Sequence, residues 1–292
     1  ISMIALVAQR RILANRRYAS SLTNLPVAVK LSGWKNAAVH FFSHGIVFLA
    51  MLPSTVVVYT SFLKTKGPVF VGGFGLESYD RIWRDAPDAI YNSFLFAIIA
   101  VTFITITSGL ISYVIVRRDT KAAAAIDFLM MVPYLVPGVV MAIGFVTVFR
   151  NGMPNFFGPA FLLVMIYYIR RLPYGVRSTT SSLRQIKPSL EEAAVNLGAT
   201  PLGAFIKITV PLIFPGIVVG ALMSFITAIN ELSSTLILYD AGTITMPVKV
   251  YLAVLDGEFG LAAALSTILL LSTGACVYAV FRFAENRNSA FL

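Results

Sequence analysis

Between two long apolar stretches lies Arg184-Gln-Ile-Lys-Pro188-Ser189-Leu-Glu-Glu192-Ala193-Ala194-Val-Asn-Leu-Gly198-Ala-Thr200-Pro201, and the pattern of this segment decides how the chain around it is organised. Ser189 followed three residues later by Glu192 reads as a capping box, each side chain serving the other's backbone amide, so a helix is expected from Leu190. Leu190, Ala193, Ala194 and Leu197 recur at i, i+3, i+4 and i+7, a narrow apolar stripe with small residues at its centre. Gly198 tolerates the left-handed conformation that stops a helix, and Thr200-Pro201 supplies an N-cap and a first-turn proline for another. That second helix carries Leu202, Phe205, Ile206 and Thr209 before Pro211 opens the next apolar stretch. The expected product is a rigid elbow of two short helices about a glycine corner. A helix pair lying flat on a membrane surface has the same periodicity, and the pattern alone leaves both readings open.

Working outward, the chain is 58% hydrophobic and 12% charged, against about 45–50% and about 25% in soluble domains. Six stretches are candidates to cross a hydrocarbon layer of roughly 30 Å: residues 38–62, 90–116, 124–149, 159–169, 212–239 and 261–283. The fold class expected is all-α, a polytopic membrane protein of six transmembrane helices in residues 37–292, with the elbow inside a loop at about 179–211. Residues 1–36 read as the end of a preceding helix (1–7) and a basic linker. Ile1 to Val7 is too short to span, and the order of apolar and basic residues is not that of a signal peptide.

The net charge of +10 is distributed as a topology signal, not as the clustered basic face that nucleic acid needs. With the linker inside and sides alternating, seventeen basic residues fall inside, including Arg117, Arg118, Arg170, Arg171 and Lys207, and six outside, which accounts for the 23 present. Lys and Arg are retained on the cytoplasmic side, so both ends of the segment are expected there. The outside loops hold most of the acids, among them Glu77, Asp80, Asp256 and Glu258, and short surface helices are expected in them. Solvated loops without a role are an equal reading.

Asn230-Glu231 with Ser233, Ser234 and Thr235 sits late in the fifth span, where polar groups are costly. These residues, Asn230, Glu231 and Ser234 above all, either line a pathway or gate or end a helix in interfacial water. Pro133 and Pro137 in the third span remove backbone hydrogen bonds and permit a kink, which suits either a rocking helix or a static bend. His40 and His44 share a helical face at a spacing two metal ligands use, but no third ligand is apparent and packing is favoured. Cys276 is the single cysteine, so no intrachain disulfide or cysteine-based metal site is expected. The chain has no phosphate-binding glycine-lysine loop, zinc-protease histidine pair or nucleophile elbow, and is read as neither an ATPase nor a hydrolase.

Glu192-Ala193-Ala194, three residues, Gly198, nine residues, then Ile208-Thr209-Val210-Pro211 resembles the EAA motif of permease subunits in binding-protein-dependent ABC importers, departing only in Val210, where the pattern usually has Leu. The resemblance extends over about residues 38–284, the six-helix core of these permeases. It implies that residues 189–211 form coupling helices seated on a separate ATP-binding-cassette ATPase dimer, with Ser189, Glu192, Ala193, Ala194 and Gly198 in the docking arm and corner, and Ile208 and Pro211 in the return to the membrane. It implies an extracytoplasmic substrate-binding protein and surrounding membrane lipids as further partners. No cofactor is expected on this chain, ATP and Mg belonging to the ATPase, and no metal site.

A more distant similarity is to fused ferric-iron-type permeases, in which a second six-helix half precedes this one. The segment Arg10-Arg11-Ile-Leu-Ala-Asn-Arg16-Arg17-Tyr18-Ala19 resembles the joint between such halves. Ferric iron is the first cargo implied, followed by phosphonates, phosphorylated sugars, polyamines and thiamine. The alternatives are an ion- or proton-coupled secondary transporter, which normally repeats its intramembrane charges or helix breaks in two halves, and a membrane scaffold that transports nothing.

Overall fold

The computed structural model describes residues 33–118, 120–150 and 158–289; the preceding-helix end, the basic linker up to residue 32 and its 10–19 joint lie outside the described residues. In order, the elements are α1 (Trp34–Ser61), a hairpin of β1 (Leu63–Lys66) and β2 (Val69–Phe74), α2 (Glu77–Asp85), α3 (Pro87–Arg117), α4 (Lys121–Leu129), α5 (Val132–Leu135) and α6 (Gly138–Phe145). They continue with α7 (Pro159–Arg184), α8 (Ser189–Asn196), α9 (Pro201–Ala204), α10 (Val210–Ile229), α11 (Thr235–Leu238), α12 (Met246–Leu255) and α13 (Phe259–Ser289). The backbone divides into two units at Val56 and Val57. In the first, the described residues are the greater part of α1, whose apolar side chains, such as Phe41, Phe48 and Leu49, are exposed. The second unit holds everything that follows.

Among the described residues, four helical stretches are long and apolar enough to cross a membrane: Trp34–Ser61, Pro87–Arg117, Pro201–Ile229 and Phe259–Arg282. A fifth span is divided. Lys121–Leu135 and Gly138–Phe149 meet at 99°, so the expected single kinked helix over 124–149 is a break instead. Its cause is local: Val136, preceding Pro137, is extended at φ −80 and ψ 126, as the steric demand of a following proline requires. Pro133 starts α5 rather than interrupting a longer helix.

The expected fourth span, 159–169, is also corrected. α7 runs 26 residues to Arg184, about 39 Å at 1.5 Å per residue. Arg170 and Arg171 therefore stand within a helix and not in an inside loop, and the connection to α8 begins only at Gln185. The fifth span likewise ends at Ile229 instead of 239, with a break before the single turn of α11.

Small residues hold α3, α7 and α10 together. A Cβ on Gly220 would lie 3.0 Å from Gly175 Cα and 3.2 Å from its carbonyl, and one on Gly175 would lie 2.7 Å from Ile104 Cγ2. Such spacing brings helix backbones close where apolar side chains gain nothing by leaving lipid, so dispersion and interhelical hydrogen bonds carry the packing. Ser178 donates to the Gly216 carbonyl at 2.7 Å, Ser112 to the Val176 carbonyl at 3.0 Å and Ser224 to the Arg171 carbonyl at 3.2 Å. Leu183, Ile213 and Ile217 form the core at the α8 end of this bundle.

At the opposite end, α2 is the amphipathic surface helix the acids suggested, with Ile82 buried and Trp83 exposed. Arg81 bonds Glu258 at 2.6 Å and Asp85 at 3.4 Å, and the Glu258 bond raises the guanidinium pKa further above its ordinary value. α12 is more than a surface helix, since Met246 and Val248 are fully buried and the Met246 amide donates to Ser93 at 2.7 Å. The β1–β2 hairpin has no counterpart in the expected elements.

Gly220→Val is expected to force α7 and α10 apart and destabilise by about 1–3 kcal/mol. Thermal unfolding of the purified protein in detergent checks this, and an unchanged midpoint would remove the seam from the account.

Candidate functional site

The segment after α7 folds as an elbow. α8 ends in a Schellman arrangement: the Ala199 amide donates to the Ala194 carbonyl at 3.0 Å and the Gly198 amide to Val195 at 2.9 Å. Gly198 stands at φ +94, a conformation a side chain disfavours. Thr200 caps the second arm, its hydroxyl accepting from the Gly203 amide at 3.1 Å, with Pro201 in the first turn. α9 then passes through a π-turn at Phe205–Thr209 into α10 without a stop. Pro211 lacks an N–H and its ring crowds the carbonyl four residues back, and the wider π-turn relieves that crowding.

The start of the elbow differs from the expected capping box. Pro188 precedes the first turn and no side chain caps it; the Glu191 and Glu192 amides both donate to the Pro188 carbonyl, at 3.0 and 3.2 Å. Ser189, Glu192 and Ala193 are exposed and Ala194 is half-buried, while Ile208 is half-buried and Pro211 exposed. The apolar stripe faces outward: Leu190 is 49%, Leu197 90% and Leu202 65% exposed.

The carboxylate that holds the elbow is the neighbouring one, Glu191. Arg117, at the end of α3, donates to its Oε1 through Nη2 at 2.8 Å and Nε at 3.0 Å, and Tyr113 donates to its Oε2 at 3.0 Å. Arg117 also reaches the Ile186 carbonyl at 3.2 Å, and the Tyr113 ring meets Phe205 edge-on at 4.8 Å. A cleft of about 240 Å³ opens between Tyr113, Glu191, Val195, Pro201 and Ala204. The only sequence signal for this tie is complementarity of one arginine at a span end with one acid in the loop, which nothing local in either segment pairs.

Farther from the elbow, the break after α10 forms a charged cluster. Glu231 is 3% exposed and lies between two guanidinium groups, bonding Arg170 Nη1 at 2.7 Å and Arg171 Nη2. It also accepts from the Ser233 and Ser234 hydroxyls, each at 2.9 Å, and from the Ser234 amide at 3.1 Å. The reading in which Glu231 ends a helix in water is thereby replaced: its donors are protein groups. Asn230 bonds the Ile226 carbonyl at 2.8 Å and Thr273 at 3.0 Å. A Cβ on Gly138 would lie 2.4 Å from Arg170 Nη1 and 2.7 Å from Ser233 Oγ, so the break at Pro137 abuts the break at Glu231.

Beside the cluster, Tyr134, Tyr174, Arg177, Met131 and Met223 line a cleft of about 230 Å³, with Arg177 paired to Asp127 at 3.1 Å. The sequence carries no signal for this cleft, since Arg177 reads there as an inside-loop charge and its partner Asp127 lies fifty residues away. Toward α1's start, His44 Nδ1 lies 2.7 Å from the His40 carbonyl, a hydrogen bond within one helix. Glu231→Ala would strand two largely buried guanidinium groups, and breaking a buried pair costs about 3–5 kcal/mol. Folded yield by fluorescence-detected size exclusion should fall well below that of Ser234→Ala, and equal yields would sink this assignment.

Comparison with known proteins agrees with this architecture. The chain is 27% identical over 265 residues to the ferric transport system permease protein of Actinobacillus pleuropneumoniae, covering 88% of this chain but 37% of that one. It is 27% identical over 260 residues to the putrescine transport system permease protein of Escherichia coli K12, covering 87% and 90%. This chain therefore spans little more than a third of the first relative. The fold is similar to that of a bacterial ABC transporter involved in import of the acidic polysaccharide alginate, with a TM-score of 0.68, 16% identity and coverage of 88% of this chain and 96% of that one. It is also similar to the MetNI methionine ABC transporter, with a TM-score of 0.54, 17% identity and coverage of 73% and 99%. Residues 106–289 match the model of the binding-protein-dependent transport system inner membrane component. That match runs from the middle of α3 to the end of α13, through both the elbow and the charged cluster, and the chain belongs to this family of membrane transport components.

Proposed function

We propose that this chain is a membrane-spanning permease subunit of an ATP-driven importer, whose elbow docks on a separate cytoplasmic ATPase dimer. The observation that carries the reading is the elbow: a glycine corner between two short helical arms whose apolar residues, Leu190, Leu197 and Leu202, are exposed. An exposed apolar stripe on a rigid support is what a partner groove covers. ATP and Mg reside on that partner, and its closure supplies the work. The elbow end and both ends of the chain face the cytoplasm, and an extracytoplasmic binding protein delivers a small solute from the other side. A second six-helix half completes the passage, fused N-terminally as the resemblance of residues 10–19 to a joint between halves implies.

For the solute, ferric iron is the first choice, supported by the ferric transport relative; the putrescine relative supports a polyamine as the next. A proton- or ion-coupled transporter is less well supported. Glu231 is occupied by two guanidinium groups and three further donors, which leaves it poorly placed to exchange an ion.

Leu197→Asp and Gly198→Val are expected to lower co-purification of the ATPase at least about tenfold, the equivalent of 1.4 kcal/mol, with membrane insertion unchanged. Retained co-purification in both variants would refute docking at the elbow. The pure chain should show no ATP hydrolysis above background in a phosphate-release assay, and measurable turnover would sink the proposal.

A further inference from the structure

We propose that the tie from Glu191 to Arg117 and Tyr113 is the joint that carries movement of the elbow into α3. The proposal rests on the docking reading and adds to it where the force goes. α8 exposes most of its surface, and its chain connections are the short segment 185–188 and the Gly198 corner. In the first, Ile186 packs on the core of Leu183, Ile213 and Ile217, while the Gly198 corner is exposed. The second arm continues into α10, and the side chains that tie the first arm to the bundle come from one turn of α3.

Tyr113 and Arg117 are four residues apart and so share a helix face. From that face they hold both arms. Arg117 grips Glu191 and the Ile186 carbonyl, fixing the first arm and the strand of chain leading into it. Tyr113 takes the other oxygen of Glu191 and packs its ring on Phe205, at the start of the π-turn in the second arm. Arg117 and Glu191 are only 11% and 13% exposed, so solvent screening weakens this pair far less than an exposed one. α3 in turn packs against α7 through Ile104 on Gly175 and Ser112 on the Val176 carbonyl. A displacement of α8 is thus delivered to the helix that runs beside the charged cluster's carrier, α7, instead of being absorbed at the glycine corner. Glu191, Arg117 and Tyr113 are positioning residues.

The test uses the assembled transporter with its ATPase in lipid nanodiscs, in a Cys276→Ser background, with a bimane probe on Val114→Cys at the half-exposed inner part of α3. ATP with orthovanadate should shift the probe emission in the parent. Glu191→Gln, which keeps the side-chain shape, and Arg117→Ala should each reduce the shift at least about fivefold, with the ATPase still bound and ATP still hydrolysed. Tyr113→Phe should reduce it less. Arg117→Ala with Glu191→Gln should be no worse than either single change, because one contact cannot be lost twice. A shift that persists in both single variants, additive losses, or a static probe in the parent with ATPase bound would each overturn the joint. A parent that retains no ATPase would overturn the docking reading and the joint with it.

Discussion

The close approach of α7 and α10 at Gly175 and Gly220 sets the register of the rest of the structure. Because the two helices are consecutive apart from the elbow, their antiparallel contact fixes what lies opposite what. Ser182 meets Gly216, Gly175 meets Gly220 and Ser224 meets the Arg171 carbonyl. α10 runs on past Arg171 and stops at Ile229, and the non-helical turn that follows sets Glu231 between Arg170 and Arg171. The same contact determines where the elbow emerges, above the core of Leu183, Ile213 and Ile217. No apolar driving force separates helix from lipid tail, so this register depends on small residues and on the hydroxyls that bond across the seam.

Two polar knots then sit at two levels of one bundle. At the elbow, Glu191 is held from α3. Deeper, Glu231 is held from α7, against a second helix break at Pro137. Each places a largely buried carboxylate at a helix end, Glu191 in the first turn of α8 and Glu231 just past α10, and each carboxylate takes guanidinium donors from another helix, with hydroxyls from Tyr113 of α3 for Glu191 and from neighbouring Ser233 and Ser234 for Glu231. A buried ion pair is weak evidence for stability, since desolvation offsets most of the attraction. Its stronger consequence is geometric, because both partners must keep their places for the charges to remain compensated.

The elbow was the most legible part of the chain. Gly198, Thr200 and Pro201 act locally, through φ, a hydroxyl cap and a missing N–H, and each does in the structure what its chemistry implies. The start of the elbow was less legible, because Ser189 and Glu192 offer a capping pattern that Pro188 pre-empts by opening the helix one residue earlier. Hydropathy placed the apolar stretches but misjudged α7. A helix with three arginines in its body resembles the end of a span until their partners are known, and Glu231 lies sixty residues away.

What the sequence determined by itself was therefore whatever depends on near neighbours: an all-α chain of membrane-crossing stretches, a capped elbow between two of them, and prolines where spans yield. Only the tertiary structure decided which charges meet. Arg117 chooses Glu191 over the adjacent Glu192, and Arg170 with Arg171 choose Glu231, because helix register, not sequence distance, brings opposite charges within hydrogen-bond reach. The break at Pro137 acquires its place in the same way, since a proline predicts that a helix can bend but its neighbours decide where the bend comes to rest.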